Sequence, residues 1–226
     1  FEEDDTPNAA FLRDVLWGLG SMPKSIPPKW FYDAGGSSLF AEICGLEAYY
    51  QTRTEAGILK RNAKAIAAAI GPGAMLIEYG AGVLDKVRPL LHELSDPVAL
   101  TAVDISAEQL ISASDRLREK FPNIEVLEVV ADFTGPYVLP EPARIPTTRV
   151  VFFPGSTIGN FEPDDAIALL RKMHRTVGAG GGLLIGIDLK KSPQVLLAAY
   201  DDPEGVTAAF NKNLLRRMQN ELGAAL

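Results

Sequence analysis

Cysteine is almost missing from this chain: Cys44 is the single one in 226 residues, so no internal disulfide can form. With only two histidines beside it, no Cys/His cluster stands at zinc spacing, and no metal site is expected. Positive charge is also short. The 22 Lys and Arg are outnumbered by 29 Asp and Glu, for a net charge of −7, and they are dispersed rather than gathered into a basic face. That pattern argues against nucleic acid as a partner and for a small molecule. No run approaches the roughly 18 consecutive apolar residues of a membrane span. The start, Phe1-Glu2-Glu3-Asp4-Asp5, lacks the basic and apolar regions of a signal peptide. A cytoplasmic protein with no membrane partner is expected. That start also lacks Met, so the sequence reads as trimmed.

What remains is an ordinary globular profile, 47% hydrophobic and 23% charged, with 20 Gly and 16 Pro scattered among periodic segments. The length suits one well-buried α/β domain, alone or with a small appendage. Residues 8–70 read as helical with interruptions: helices over 9–18, 37–44 and 54–70, and a Pro-rich turn over 23–28. From residue 74 the pattern changes to short apolar runs alternating with helical ones. Strands are predicted over 74–79, 98–103, 124–130, 149–153 and 182–188, with helices over 86–94, 107–120 and 163–176 between them. This βαβ rhythm predicts a parallel sheet with helices on both faces. Further helices follow over 193–200 and 205–222.

Chemistry gathers at the ends of the predicted strands. The first runs into Glu78-Tyr79-Gly80-Ala81-Gly82, a glycine turn where backbone can approach a ligand closely at the carboxyl edge of a parallel sheet. A plain tight turn with no ligand would look the same. A dinucleotide fingerprint would need a third glycine where Asp85 stands, which disfavours a nicotinamide cofactor. Asp104 ends the second strand, where a carboxylate can accept both ribose hydroxyls of an adenosine. It could equally cap the following helix. Asp132-Phe133 ends the third strand, offering an acceptor for an adenine amino group and a ring to border the base. The fourth strand opens into Pro154-Gly155-Ser156-Thr157-Ile158-Gly159-Asn160-Phe161, a small-residue loop bearing an uncharged amide.

Four segments carry a resemblance. Lys24-Ser25-Ile26-Pro27-Pro28-Lys29-Trp30-Phe31-Tyr32-Asp33, Tyr49-Tyr50-Gln51-Thr52-Arg53-Thr54-Glu55, the loop running from Phe153 to Phe161, and Ala199-Tyr200-Asp201-Asp202 closely resemble the signature segments of the histidine Nα-methyltransferases of ergothioneine biosynthesis. The resemblance covers nearly the whole chain, in order. It implies a Rossmann-like class I methyltransferase fold, with an N-terminal helical cap over 1–70 lining the substrate pocket. Residues 71–226 would then bind S-adenosylmethionine, and two more strands would follow the fifth, so the C-terminal strands would be missing. It further implies that Gly80, Lys86, Asp104, Asp132 and Phe133 hold the cofactor, with Tyr32 and Gly155 lining its pocket. Tyr50, Asn160 and Tyr200 would position the amino-acid substrate for trimethylation to hercynine. A phenol can donate to the substrate carboxylate, and the Asn160 carbonyl can accept from its amine without adding charge. Tyr50 and Tyr200 could also be plain rim or core tyrosines.

The sequence departs from the family twice. Val83 and Leu84 stand where small polar residues are usual, and the Glu and Ser that read imidazole belong to a later segment not present in this sequence. A methyltransferase of another amino acid or small amine, or a non-catalytic S-adenosylmethionine-binding accessory protein, therefore stays open. His92 and His174 both fall in helical patterns away from these motifs, so no base is assigned. The oligomeric state is not legible.

Overall fold

The computed structural model describes residues 7–225. Five parallel strands form one sheet: β1 (Ala74–Tyr79), β2 (Ala99–Asp104), β3 (Glu125–Val130), β4 (Thr148–Phe153) and β5 (Gly182–Ile185), in the order β3-β2-β1-β4-β5. This is the Rossmann-like class I methyltransferase arrangement expected. β1 is buried along its whole length, because both faces of a parallel sheet are covered. Side chains alternate across the sheet. Leu76, Leu100, Ala102, Val126, Val150 and Phe152 pack on one face with Leu59, Ala63 and Ala67 of α3 (Tyr50–Ile70). The same layer holds Leu90 and Leu91 of α4 (Arg88–Glu93) and Leu110, Ala113 and Leu117 of α5 (Ala107–Lys120). Met75, Ile77, Tyr79, Val103, Val151 and Phe153 face the other way, onto Leu169 and Met173 of α6 (Pro163–Val177). Each fully buried aliphatic side chain contributes about 1.5–3 kcal/mol, so these two layers fix the register of the strands.

The site follows from the strand order. β2 and β3 are laid down on one side of β1, and the chain then crosses to the other side for β4 and β5. The loops leaving β1 and β4 therefore diverge at the carboxyl edge, the switch point where open parallel sheets bind their ligands.

Residues 50–190 form one compact unit. It includes α3, which the sequence pattern grouped with the N-terminal cap; its buried stripe belongs to the sheet's core. α3 also starts four residues before the predicted 54. β5 ends at Ile185 instead of 188, because pairing with β4 stops at Phe153.

The second unit joins residues 7–49 to 191–225. It holds α1 (Pro7–Gly20), a 3-10 turn (Pro28–Phe31), α2 (Ala34–Gly45), α7 (Pro193–Tyr200) and α8 (Val206–Leu222). Its core is Phe11, Val15, Trp30, Leu214 and Met218. Trp30 Nε1 donates to Asp14 at 2.8 Å, and Arg217 donates to the Trp30 carbonyl at 3.0 Å. Asp33 caps α2 by accepting from the Gly36 N–H at 2.7 Å, and the same oxygen accepts from Asn213 of α8 at 2.7 Å. No described helix is long and apolar enough to cross a membrane.

Candidate active site

The loop after β1 is held in a shape that only a few backbones adopt. Gly80 and Gly82 have φ of 67° and 52°, left-handed values that glycine reaches without steric cost. The Gly80 and Ala81 N–H groups both donate to the Val103 carbonyl of β2, at 2.9 and 3.3 Å. Leu84 also takes a positive φ, 58°, and its side chain is fully buried in the core below the loop. Val83 is 41% exposed. The two residues that depart from the family pattern thus divide: Leu84 anchors the loop from beneath, and Val83 alone faces outward.

Asp104 organises the next strand end. Its Oδ2 accepts from the Gly82 N–H and its Oδ1 from the Ser106 N–H, each at 2.9 Å. Ser106, not Asp104, is the residue that precedes α5, and Asp104 stiffens that turn. A carboxylate has about four acceptor sites, so each oxygen keeps one for a ligand. At the end of β3, Asp132 Oδ1 accepts from the Thr134 N–H at 2.9 Å. The Phe133 ring is stacked on Tyr79, centroids 5.5 Å apart and 5° between planes, and its Cε1 is 3.8 Å from where a Cβ on Gly80 would stand. Lys172 of α6 secures this loop by donating to the Phe133 carbonyl at 2.7 Å and to that of Gly135.

The loop after β4 turns through Gly155 (φ 83°) and Ser156 (φ 56°) into a 3-10 turn, Thr157–Asn160, that leaves Asn160 exposed. The Gly155 N–H is already engaged by both oxygens of Glu55, at 2.8 and 2.9 Å. Glu55 also pairs with Lys86, Nζ to Oε2 2.7 Å. A side chain at Gly155 would crowd that ammonium, since a Cβ would lie 3.3 Å from Nζ. Tyr50, at the first turn of α3, donates its hydroxyl proton to Asp188 Oδ2, and the Asp188 N–H donates to Ser156 Oγ at 2.9 Å. With that proton committed to Asp188, the phenol acts toward other partners as an acceptor, the reverse of the donor role read from the sequence.

Glu78 lies beneath these loops. It is 1% exposed, and its Oε2 has no hydrogen-bond partner among the described residues. Burial pushes its carboxyl well above the ordinary range. Lys86 pulls it back, while Asp104, Glu55 and Asp85 add to the rise. An orphaned buried oxygen beside a glycine turn suits a site built for a polar ligand.

The sheet unit thus holds Tyr50 at the start of α3, Asp104 at the end of β2, and Gly80, Lys86, Asp132, Phe133, Gly155 and Asn160 after its strands. Tyr32 and Tyr200 belong to the other unit. Tyr32 packs edge-on against Phe40 and Phe210 at 5.4 and 5.6 Å. Tyr200 is 55% exposed, with its ring edge-on to Tyr49 at 5.9 Å. His92 and His174 are both exposed, as expected of residues with no part in the site. The sequence reading missed Glu55, Glu78 and Asp188. Each is a carboxylate on a conspicuous segment, but only the fold shows which backbone N–H or ammonium it meets.

Known proteins resemble this chain in sequence and in fold. Residues 11–226 match the family described as histidine-specific, S-adenosylmethionine-dependent methyltransferases. The chain is similar to the histidine N-alpha-methyltransferase of Mycolicibacterium smegmatis, 43% identical over 97% of this chain and 68% of the relative's length. It is also similar to ergothioneine biosynthesis protein 1 of Neurospora crassa, 32% identical over 89% of this chain but 23% of that protein. Among solved structures, a possible exported protein of Bordetella parapertussis shares the fold. Its TM-score is 0.50 at 18% identity, over 78% of this chain and 55% of the other.

Proposed function

Since the chain belongs to the family of histidine-specific, S-adenosylmethionine-dependent methyltransferases, we propose that it methylates the α-amino group of histidine, up to three times, to give hercynine for ergothioneine biosynthesis. The observation that carries the reading is the convergence of the glycine turn, Asp104, Lys86 and the Asp132-Phe133 pair at the carboxyl edge of β1, β2 and β3. These residues fit the cofactor by type. Asp104 keeps two acceptor sites for ribose hydroxyls, Asp132 offers an acceptor for the adenine amine, and Phe133 beside Gly80 borders the base. Lys86 supplies a cation for the methionine carboxylate. Gly155 lines the pocket on the side of β4. When bound, S-adenosylmethionine supplies a sulfonium methyl that is already a good electrophile, so the chain's contribution is orientation and exclusion of water.

On the substrate side, Asn160 accepts from the α-amine through its side-chain carbonyl. Tyr50, whose proton is held by Asp188, presents oxygen lone pairs to the amine. It thereby favours the N–H geometry that leaves the nitrogen lone pair aimed at the methyl donor. The Tyr50–Asp188 pair is also the route by which an amine proton can leave, which accounts for chemistry without a histidine base. Burial of Leu84 supports a working glycine loop and removes the motive for a non-catalytic accessory. The reading implies a cytoplasmic enzyme of free amino acids.

The test is titration of histidine into the protein with S-adenosylhomocysteine present, with mass spectrometry of a histidine reaction with S-adenosylmethionine. Histidine binding with mass gains of one to three methyl groups is expected. Cofactor binding with neither histidine binding nor methylation would move the function to another amine.

A further inference from the structure

Glu55 has no part in the roles given above, yet it meets two parts of the site's framework, the Gly155 N–H and the Lys86 ammonium. It lies on α3, five positions after Tyr50. Both its oxygens accept the Gly155 N–H at the mouth of the loop that ends in Asn160, and one of them pairs with Lys86 after β1. Its third neighbour is defined by what is missing there. At Gly186, just past β5, a Cβ would stand 1.8 Å from Glu55 Oε1 and 3.3 Å from the Gly155 nitrogen. Gly186 has no positive φ, so its backbone would accept alanine. Glycine is needed at that position for the space that the carboxylate fills. The side chain of Glu55 is 17% exposed, and a bond from a backbone N–H to an ionised, largely desolvated carboxylate is among the stronger kinds.

We infer that Glu55 is a positioning residue for the amino-acid substrate: by clamping the Gly155 N–H to α3, it sets Asn160 and Tyr50 relative to each other. The inference rests on the function proposed above. Three consequences separate it from a general contribution to folding. Glu55→Gln keeps an acceptor of the same length for the Gly155 N–H and therefore keeps substrate affinity. Glu55→Ala loses it. Gly186→Ala, which leaves Glu55 in place but occupies its space, mimics the loss.

The experiment is calorimetric titration of wild type, E55Q, E55A, G186A and the E55A/G186A double variant, first with S-adenosylhomocysteine and then with histidine. For E55A and G186A the histidine Kd is expected to rise about tenfold, with S-adenosylhomocysteine affinity changed by less than about threefold, the scale of one lost charge-assisted hydrogen bond. E55Q is expected within about threefold of wild type for both ligands, and the double variant is expected to be no weaker than E55A, since both changes break one contact. Wild-type histidine affinity in E55A, E55Q as weak as E55A, or equal weakening of both ligands would overturn the clamp alone. A wild-type protein that binds S-adenosylhomocysteine but not histidine would overturn the functional reading and the clamp with it.

Discussion

Asp104 serves the fold, and under the proposed function it serves the cofactor as well. Its two oxygens hold the N–H groups of Gly82 and Ser106, so the carboxylate is oriented before any ligand arrives. Asp104→Ala would leave both N–H groups without that partner, costing about 1–3 kcal/mol of stability in urea unfolding. The same variant is expected to lose S-adenosylhomocysteine affinity by about a hundredfold or more, the loss from two charge-assisted bonds. Retention of wild-type affinity would remove Asp104 from the cofactor site. The sequence already marked this residue as a strand-end carboxylate. It could not show that the Gly82 backbone, 22 residues earlier in the chain, is its partner, because a hydrogen bond between distant segments leaves no periodic trace.

At the scale of the element, the glycine loop is where sequence pattern and structure part. Val83 and Leu84 read together as one departure from the family, but the loop's left-handed turn sends them in opposite directions. Leu84→Ala is expected to destabilise the protein by about 2–5 kcal/mol through the cavity it leaves under β1. Val83→Ser is expected within about 0.5 kcal/mol of wild type, as for other exposed positions. Urea unfolding of the two variants side by side checks both. The strands themselves were legible as short apolar runs between helical segments, as in β1, β2 and β4. The boundary of the N-terminal cap was not, because the apolar stripe of α3 looks the same whether it packs on helices or on a sheet.

For the molecule as a whole, Glu78 links stability to pH. Its native carboxyl titrates above its unfolded value, so the folded state holds the proton more tightly. Stability from this group is therefore greatest at acid pH and is lost as pH rises from the unfolded value through the higher folded one. Glu78→Gln mimics the protonated form. Its melting temperature should approach wild type at pH 4 and below, and exceed it at pH 8 by about 2–4 °C for each kcal/mol recovered in a chain of this size. Thermal unfolding at the two pH values decides it, and a Gln variant less stable at pH 8 would mean that Lys86 outweighs burial.

By itself the sequence determined the parallel α/β fold, the strand ends that carry the candidate site, and the family, since apolar runs, glycine turns and long contiguous motifs are local and survive being read in one dimension. Only the tertiary structure decided which way Val83 and Leu84 point, that the Tyr50 hydroxyl donates to Asp188, and that Glu55 joins α3, Lys86 and Gly155. Those are contacts between segments brought together by the strand order β3-β2-β1-β4-β5, and their partners stand up to 138 residues apart along the chain.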